Sequence, residues 1–485
     1  MGNYSVPDSI RKFKPKGTMV KVINGSNYYV YEYKTITDAN GKRKTKMGKS
    51  IGKIVEDKGF IPNDSYIKDG DITTLEYGQY KLVLDNSKNT YELLNRVFAY
   101  DDAARIYCMA VICFINGFTP ITRMSDYYEQ SYLNIEFNAI KMKYTSLSNL
   151  LDNLGRRQEK VHEFENMLIK KSSKEIAIDG HVIPNYSNQN DLAEIGNKFN
   201  MIGDSQINLL MTYDINTNMP LTSRFYSGST LDKISVKDLI QRNELHDVLY
   251  IVDRGFYSNE NIEYFSKDGN KYIIPLSPNL KSYKKAIEEL NFASEFVYEK
   301  NKKRTIVEFK ELKYEEKRIC VFRDKTQNTL DRVDYLKNLE AGKKGFSKEN
   351  FEKVKDFFGM IVLETNIDIS AEEVFQYYKK RWKIETFYNF FKNKINFESL
   401  NESDYYQMQG LSFIMLITGM IHSEMKDAIK SLKGYSLDDI LLKARFIKAH
   451  RINGKWITQN VKRELREMFT VLNSPLTTEI DSTYL

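Results

Sequence analysis

The run Val248-Leu-Tyr-Ile-Val252, five apolar residues in a row ending in Asp253, limits the possible folds more than any other stretch. A strand with one wet face alternates apolar and polar residues. An uninterrupted apolar run is a strand buried on both faces, as at the centre of a sheet covered by helices. The neighbouring segments agree. Ile176-Ala-Ile178 is a short apolar strand ending in Asp179, and Ile207–Tyr213 and Leu221–Tyr226 are strand-like runs joined by a turn-rich stretch, 214–220. A helix is predicted over 236–245 and another over 259–267, with a strand at Lys271–Leu276. Strand-strand-strand-helix-strand-helix-strand is an α/β order.

The second informative stretch is Tyr378–Lys392, which has no Gly or Pro and is preceded by Ser370 and Glu373 at capping-box spacing. It reads as one helix. Tyr378, Arg381, Glu385 and Lys392 are separated by three, four and seven residues, so their side chains share a face. A carboxylate flanked by two cations and a phenol suits a phosphodiester: Glu385 can hold a metal while Arg381 and Lys392 hold phosphate oxygens.

Composition bounds the classes. The 485 residues suffice for two to four domains, and 41% hydrophobic with 13% aromatic content supports packed cores. A net charge of +7 is compatible with a polyanionic partner without requiring one. Cys108, Cys113 and Cys320 lack CxxC spacing and read as free thiols in a reducing compartment. The five His form no cluster that would suggest zinc. There is no apolar signal-peptide core, and the most apolar runs, 109–115 and 411–421, fall short of the roughly 20 residues needed to span a bilayer. A cytoplasmic protein without a membrane partner is expected.

Five regions are expected. Residues 1–85 are strands and turns, with Asn24-Gly25 as a hairpin signal between Val20–Ile23 and Tyr28–Thr35. A second turn leads to Lys42, Arg43, Lys44 and Lys46. These are a basic arm for phosphates or, equally, a solvated edge strand that resists pairing. Residues 86–172 are helical, with apolar residues at i, i+3, i+4 spacing. Residues 173–280 and 358–430 form the α/β core, interrupted by a β-rich insertion at 281–357, and 431–485 is a basic helical tail.

Asp179 and Asp253 each end a strand. In open α/β sheets, functional groups gather at the carboxyl ends of central strands. With Glu385 beside them they would make three hard oxygen donors suited to Mg²⁺ or Mn²⁺, and two such ions could drive an in-line phosphoryl transfer. Taken singly each residue is ordinary. An Asp after a strand is more often a turn former, and a Glu385–Arg381 pair at i,i+4 is most often a surface ion pair worth about 0.3–0.5 kcal/mol. The functional reading rests on the set.

That set resembles the DDE transposases of the IS4-like group of bacterial insertion sequences. The first Asp of that family corresponds to Asp179 in Ala-Ile-Asp-Gly, the second to Asp253 in Ile-Val-Asp-Arg-Gly-Phe-Tyr, and the Glu to Glu385; Tyr378, Arg381, Glu385 and Lys392 fill its Tyr-x2-Arg-x3-Glu-x6-Lys signature. Gly180-His181 departs from the small hydroxyl residue that many relatives place near the first Asp. The resemblance implies an RNase H-like catalytic domain interrupted by a mainly β insertion, with an N-terminal β-plus-helical region that binds DNA ends. It implies catalytic and metal-binding roles for Asp179, Asp253 and Glu385, DNA contacts from Tyr378, Arg381 and Lys392, and two Mg²⁺ or Mn²⁺ ions per site. Trp382 could stack on an unpaired base, or be one more core aromatic. The implied activity is cut-and-paste transposition by a homodimer that pairs inverted-repeat ends of double-stranded DNA, cuts through a hairpin and joins target DNA, at the bacterial nucleoid. The alternatives are an RNase H-like nuclease that does not join strands and a non-catalytic DNA-binding relative.

Overall fold

The computed structural model describes residues 6–480 apart from 25, 38–42, 57–58, 64–72, 186–189, 196–204, 231, 244, 289, 301, 396–403 and 453–454. The chain divides into two compact units.

The smaller unit takes the chain up to Leu75 together with 449–459 and 477–481. Strands Thr18–Ile23, Asn27–Thr37, Arg43–Val55 and Gly59–Pro62 form an antiparallel sheet in chain order. The predicted first hairpin is present: Ile23 pairs with Asn27, and Asn24 takes the positive φ, 54°, that the turn requires. Ile10, Val30, Ile51 and Ile54 bury against Phe13, Tyr28 and Phe60. A second, three-stranded sheet joins Thr73–Glu76 to the hairpin Lys448–Ile452 and Lys455–Thr458. The tail expected to be helical therefore contains a hairpin, followed by the helix Arg463–Val471.

The larger unit begins with helices, starting at Gly78–Asn86 rather than at 86 and including Tyr100–Asn116, Tyr144–Arg156 and Glu159–Lys171. The central sheet follows. Its strands are β1 (Glu175–Pro184), β2 (Ser205–Asp214), β3 (Met219–Ser227), β4 (Leu249–Val252), β5 (Lys271–Pro275), β6 (Ser294–Lys300), β7 (Lys303–Tyr314), β8 (Lys317–Asp324) and β9 (Met360–Thr365). Across the sheet the order is β6-β7-β8-β9-β5-β4-β1-β2-β3, with the two-residue strand Glu194–Ile195 also against β2. β1, β4 and β5 run parallel and the other pairs antiparallel. Every residue of β4 is buried, as its apolar run requires. The β3–β4 and β4–β5 connections carry helices α1 (Asp232–Asn243) and α2 (Asn259–Ser266), the crossovers that parallel strands need.

Two expectations change here. β1 does not stop at Asp179 but runs five residues further, because β2 stays paired with it as far as Pro184. The strands of 281–357 are not a sheet of their own: β6, β7 and β8 extend the central sheet through β9, and the charged stretch after them forms helices Lys325–Glu340 and Lys348–Val354.

The predicted helix over 378–392 is broken into α3 (Ala371–Lys380) and α4 (Trp382–Phe390), followed by a π turn, Phe391–Ile395. The capping box at Ser370 and Glu373 is formed. Helix α5 (Tyr405–Ala428) is buried along most of its length and packs on β3 and on helices Tyr144–Arg156 and Tyr100–Asn116. Its crossing with Tyr144–Arg156 depends on glycine. A Cβ on Gly410 would strike the Leu151 carbonyl, and one on Gly155 would strike the Tyr406 carbonyl. The three cysteines are free and buried, and burial pushes the Cys113 and Cys320 thiols up to about 12.

Candidate active site

The site starts from strand register. Ile178 of β1 pairs with Val252 of β4, the last residue of that strand. Asp179 and Asp253 are the next residue on each, so the two aspartates stand at one level on adjacent parallel strands. Both carboxylates turn back to the chain. Asp179 Oδ1 accepts from the Gly180 amide at 3.0 Å, and Asp253 Oδ1 accepts from the Arg254 amide at 2.7 Å, capping a single 3₁₀ turn. That turn is anchored by buried Phe256, whose carbonyl accepts from Asn261 Nδ2 at 2.9 Å.

α3 and α4 supply the rest. They meet at Arg381, where the Arg381 amide bonds the Tyr378 carbonyl and the Ile384 amide bonds the Arg381 carbonyl, a tight i,i+3 pattern. The Arg381 side chain is 12% exposed and its Nη2 pairs with Glu385 Oε1, whose side chain is 51% exposed. The guanidinium lies 5.8 Å from the centroid of the Tyr378 ring.

The charges explain one another. Burial pushes the Asp179 carboxyl up to about 7; Asp253 and Glu385 push it the same way, while Arg381 and the Gly180 amide pull it down. Burial opposes the charge on Arg381, but Tyr378, Asp253, Glu385 and Asp179 together raise its pKa. Burial also raises the Tyr378 phenol, with Arg381 acting against it. Arg381 is thus the counter-ion of three carboxylates.

The structure brings Tyr378, Arg381 and Glu385 to the two aspartates. Lys392 is exposed and lies in the π turn, off the regular helix. Burial, with the charge of Lys392 added, pushes His181, two positions past Asp179 on the same face of β1, down to about 4. Trp382 is not among the carboxylates. It is 40% exposed, has Lys300 Nζ 4.2 Å from its ring, and borders a cavity of about 460 Å³ lined also by Tyr213, Phe387, His422 and Tyr435. Arg43 and Lys46 are exposed on the smaller unit, and Lys46 faces Lys34 across the ladder. Lys42 and the side chain of Lys44 lie outside the described residues.

Hard oxygen donors are present for a divalent cation. Yet among the described residues no three Asp, Glu, His or Cys side chains gather closely enough to hold one ion. The donor set fits in kind. In placement Asp179 and Asp253 stand level on adjacent strands, while Glu385 is engaged by Arg381.

Sequence reasoning missed two groups. Glu364, fully buried in β9, accepts from Tyr257 Oη at 3.1 Å and Tyr272 Oη at 2.9 Å, with Lys317 Nζ 3.4 Å away. It ties down the loop that follows Asp253, and its signal was an acid inside an apolar run. Tyr388 Oη donates to the Asp179 carbonyl at 2.8 Å; its signal was its place three residues after Glu385.

No curated protein matches this chain in sequence. Among solved structures, a cryo-EM structure of the piggyBac transposase synaptic complex with hairpin DNA is similar over 76% of this chain and 78% of that one, at 11% identity and a TM-score of 0.38. The family described as transposase DDE domain matches residues 170–418, more than half of the chain, and encloses Asp179, Asp253 and Glu385. The chain therefore belongs to the DDE transposase family and is an enzyme of its polynucleotidyl transferase and endonuclease class.

Proposed function

We propose that this chain is a cut-and-paste DNA transposase of the IS4-like group of bacterial insertion sequences, built on an RNase H-like core and acting in the cytoplasm. The observation that carries the reading is the meeting of Asp179 and Asp253, level on adjacent parallel strands, with Tyr378, Arg381 and Glu385 from the α3–α4 corner. The strand order β3-β2-β1-β4-β5, antiparallel for the first three and parallel for the rest, supports the RNase H-like core.

Asp179 and Asp253, completed by Glu385, would hold Mg²⁺ or Mn²⁺, which supplies Lewis acidity to activate a water or 3′-hydroxyl and to stabilise the leaving oxygen. The protein's own groups do the rest. Arg381 is cationic and sits among the carboxylates, so an incoming phosphodiester gives its guanidinium a second anionic partner and frees Glu385. Tyr378 flanks Arg381 and restricts where its planar fork can turn. Lys392, exposed and acting electrostatically on His181, would take a phosphate further along the strand. Arg43 and Lys46 form a basic strand whose like-charge pairing a polyanion would relieve. The substrate is double-stranded DNA with inverted-repeat ends, paired by two subunits, and the cut passes through a hairpin before target joining.

Glu385→Gln keeps the size of the side chain and removes its charge. It is expected to abolish metal-dependent cleavage of a duplex carrying the DNA that flanks this gene, while leaving binding of that duplex intact in a gel-shift titration. Equal loss of both would contradict the role given to Glu385.

A further inference from the structure

We propose that Tyr388 is a positioning residue, which fixes the helix carrying Glu385 against the strand carrying Asp179. Helix α4 is nine residues long and has an irregular turn at each end: the corner at Arg381 and the π turn from Phe391. Its backbone hydrogen bonds therefore leave its placement on the sheet to side chains. Buried Ile384, Phe387 and Phe390 set how deeply it sits. Apolar contacts are non-directional and do little to set how far the helix slides along its axis.

Directional bonds can do that. Side-chain bonds from α4 reach the sheet region. Lys383 Nζ donates to the Ile215 carbonyl, just past β2, at 2.5 Å, and Tyr388 Oη donates to the carbonyl of Asp179 itself at 2.8 Å, with the Leu209 carbonyl of β2 at 3.5 Å as a second, longer acceptor. The Tyr388 ring is 6% exposed and its centroid is 5.7 Å from that of His181, the next residue on the same face of β1. Three residues separate Tyr388 from Glu385, a rise of about 4.5 Å on nearly the same helix face. The phenol thus ties the backbone of one acidic residue to the helix turn that presents the other. Its hydroxyl bonds backbone carbonyls, so its effect passes through the separation of the two carboxylates.

The inference rests on the reading of Asp179 and Glu385 as partners in cleavage, and the experiment separates the two claims. Tyr388→Phe removes only the hydroxyl and keeps the ring packing. Tyr128→Phe is the matched control: Tyr128 is also buried and also donates to a backbone carbonyl, that of Phe137 at 2.6 Å, within the helical region. Single-turnover cleavage of the flanking duplex, duplex affinity, Mn²⁺ binding followed by the free-ion EPR signal, and melting temperature are measured for both variants, for wild type and for Asp179→Asn.

Tyr388→Phe is expected to slow cleavage by about tenfold to a hundredfold and to weaken Mn²⁺ binding, with duplex affinity changed by less than about twofold. Tyr128→Phe should lose a similar amount of melting temperature and cleave as wild type does. Wild-type cleavage and Mn²⁺ binding in Tyr388→Phe, or an equal loss of cleavage in both tyrosine variants, would overturn the positioning role. Full cleavage by Asp179→Asn would instead overturn the catalytic reading on which it rests.

Discussion

Three carboxylates that feel one another's charge need a cation, and here a side chain of the protein provides it. Arg381 is mostly buried, pairs with Glu385 and draws part of its charge stabilisation from Asp179 and Asp253. The ion pair with half-exposed Glu385 is worth little to stability on its own; its weight lies in neutralising the acidic cluster. Arg381→Ala is expected to weaken DNA-end processing and to reduce the slope of log affinity against log salt by about 1. The check is a gel-shift titration across salt concentrations, where an unchanged slope would count against phosphate contact. At this scale much of the site could be read from the chain. Asp253 follows an apolar run that only a buried strand explains, and the 378-381-385 spacing puts three groups on one corner even though the helix breaks there. The place of Tyr388 three residues after Glu385 was visible, but its bond was not, because its partner is a backbone carbonyl 209 residues away. No residue-type pattern records a hydrogen bond to a carbonyl.

The elements show where local rules hold and where pairing overrides them. β4 is as its composition predicts, because a strand buried on both faces has no use for polar residues. β1 outruns its apolar stretch, since continued pairing with β2 carries it past Asp179 to Pro184. The strands of the 281–357 segment were recognisable as strands, but their edge-to-edge union with β9 is a long-range pairing that periodicity does not encode. Helix Glu159–Lys171 poses a different question: it buries Glu165, which accepts from the Ser223 amide of β3 at 3.3 Å. Burial pushes this carboxyl from 4.5 up to about 8, against the pull of the Ser223 amide and Arg224. The folded state therefore keeps a proton that the unfolded chain releases at lower pH, so the contribution of Glu165 to stability is greatest below about 4.5 and falls as pH rises toward about 8. Within that window the slope approaches about 1.4 kcal/mol per pH unit. Glu165→Gln should flatten it and leave the variant the more stable protein at pH 8. Denaturant unfolding at pH 5, 6.5 and 8 decides this, and parallel curves for the two proteins would refute it.

For the whole molecule, charge is distributed over the two units in a way composition alone does not reveal. A net charge of +7 is modest, yet Arg43, Lys46 and Lys34 are concentrated on one sheet of the smaller unit, while Arg381 sits among the carboxylates of the larger. The family match covers the larger unit's sheet and both aspartates, which is why the enzymatic class follows from it. The most direct test of the central claim uses the full-length protein with Mg²⁺, a labelled duplex carrying the DNA that flanks the gene, and an unlabelled second duplex. Metal-dependent cleavage at a repeat end is expected, followed by covalent transfer of label to the second duplex, with both products absent in Glu385→Gln. Binding of the duplex without metal-dependent cleavage, or cleavage that survives in Glu385→Gln, would contradict it.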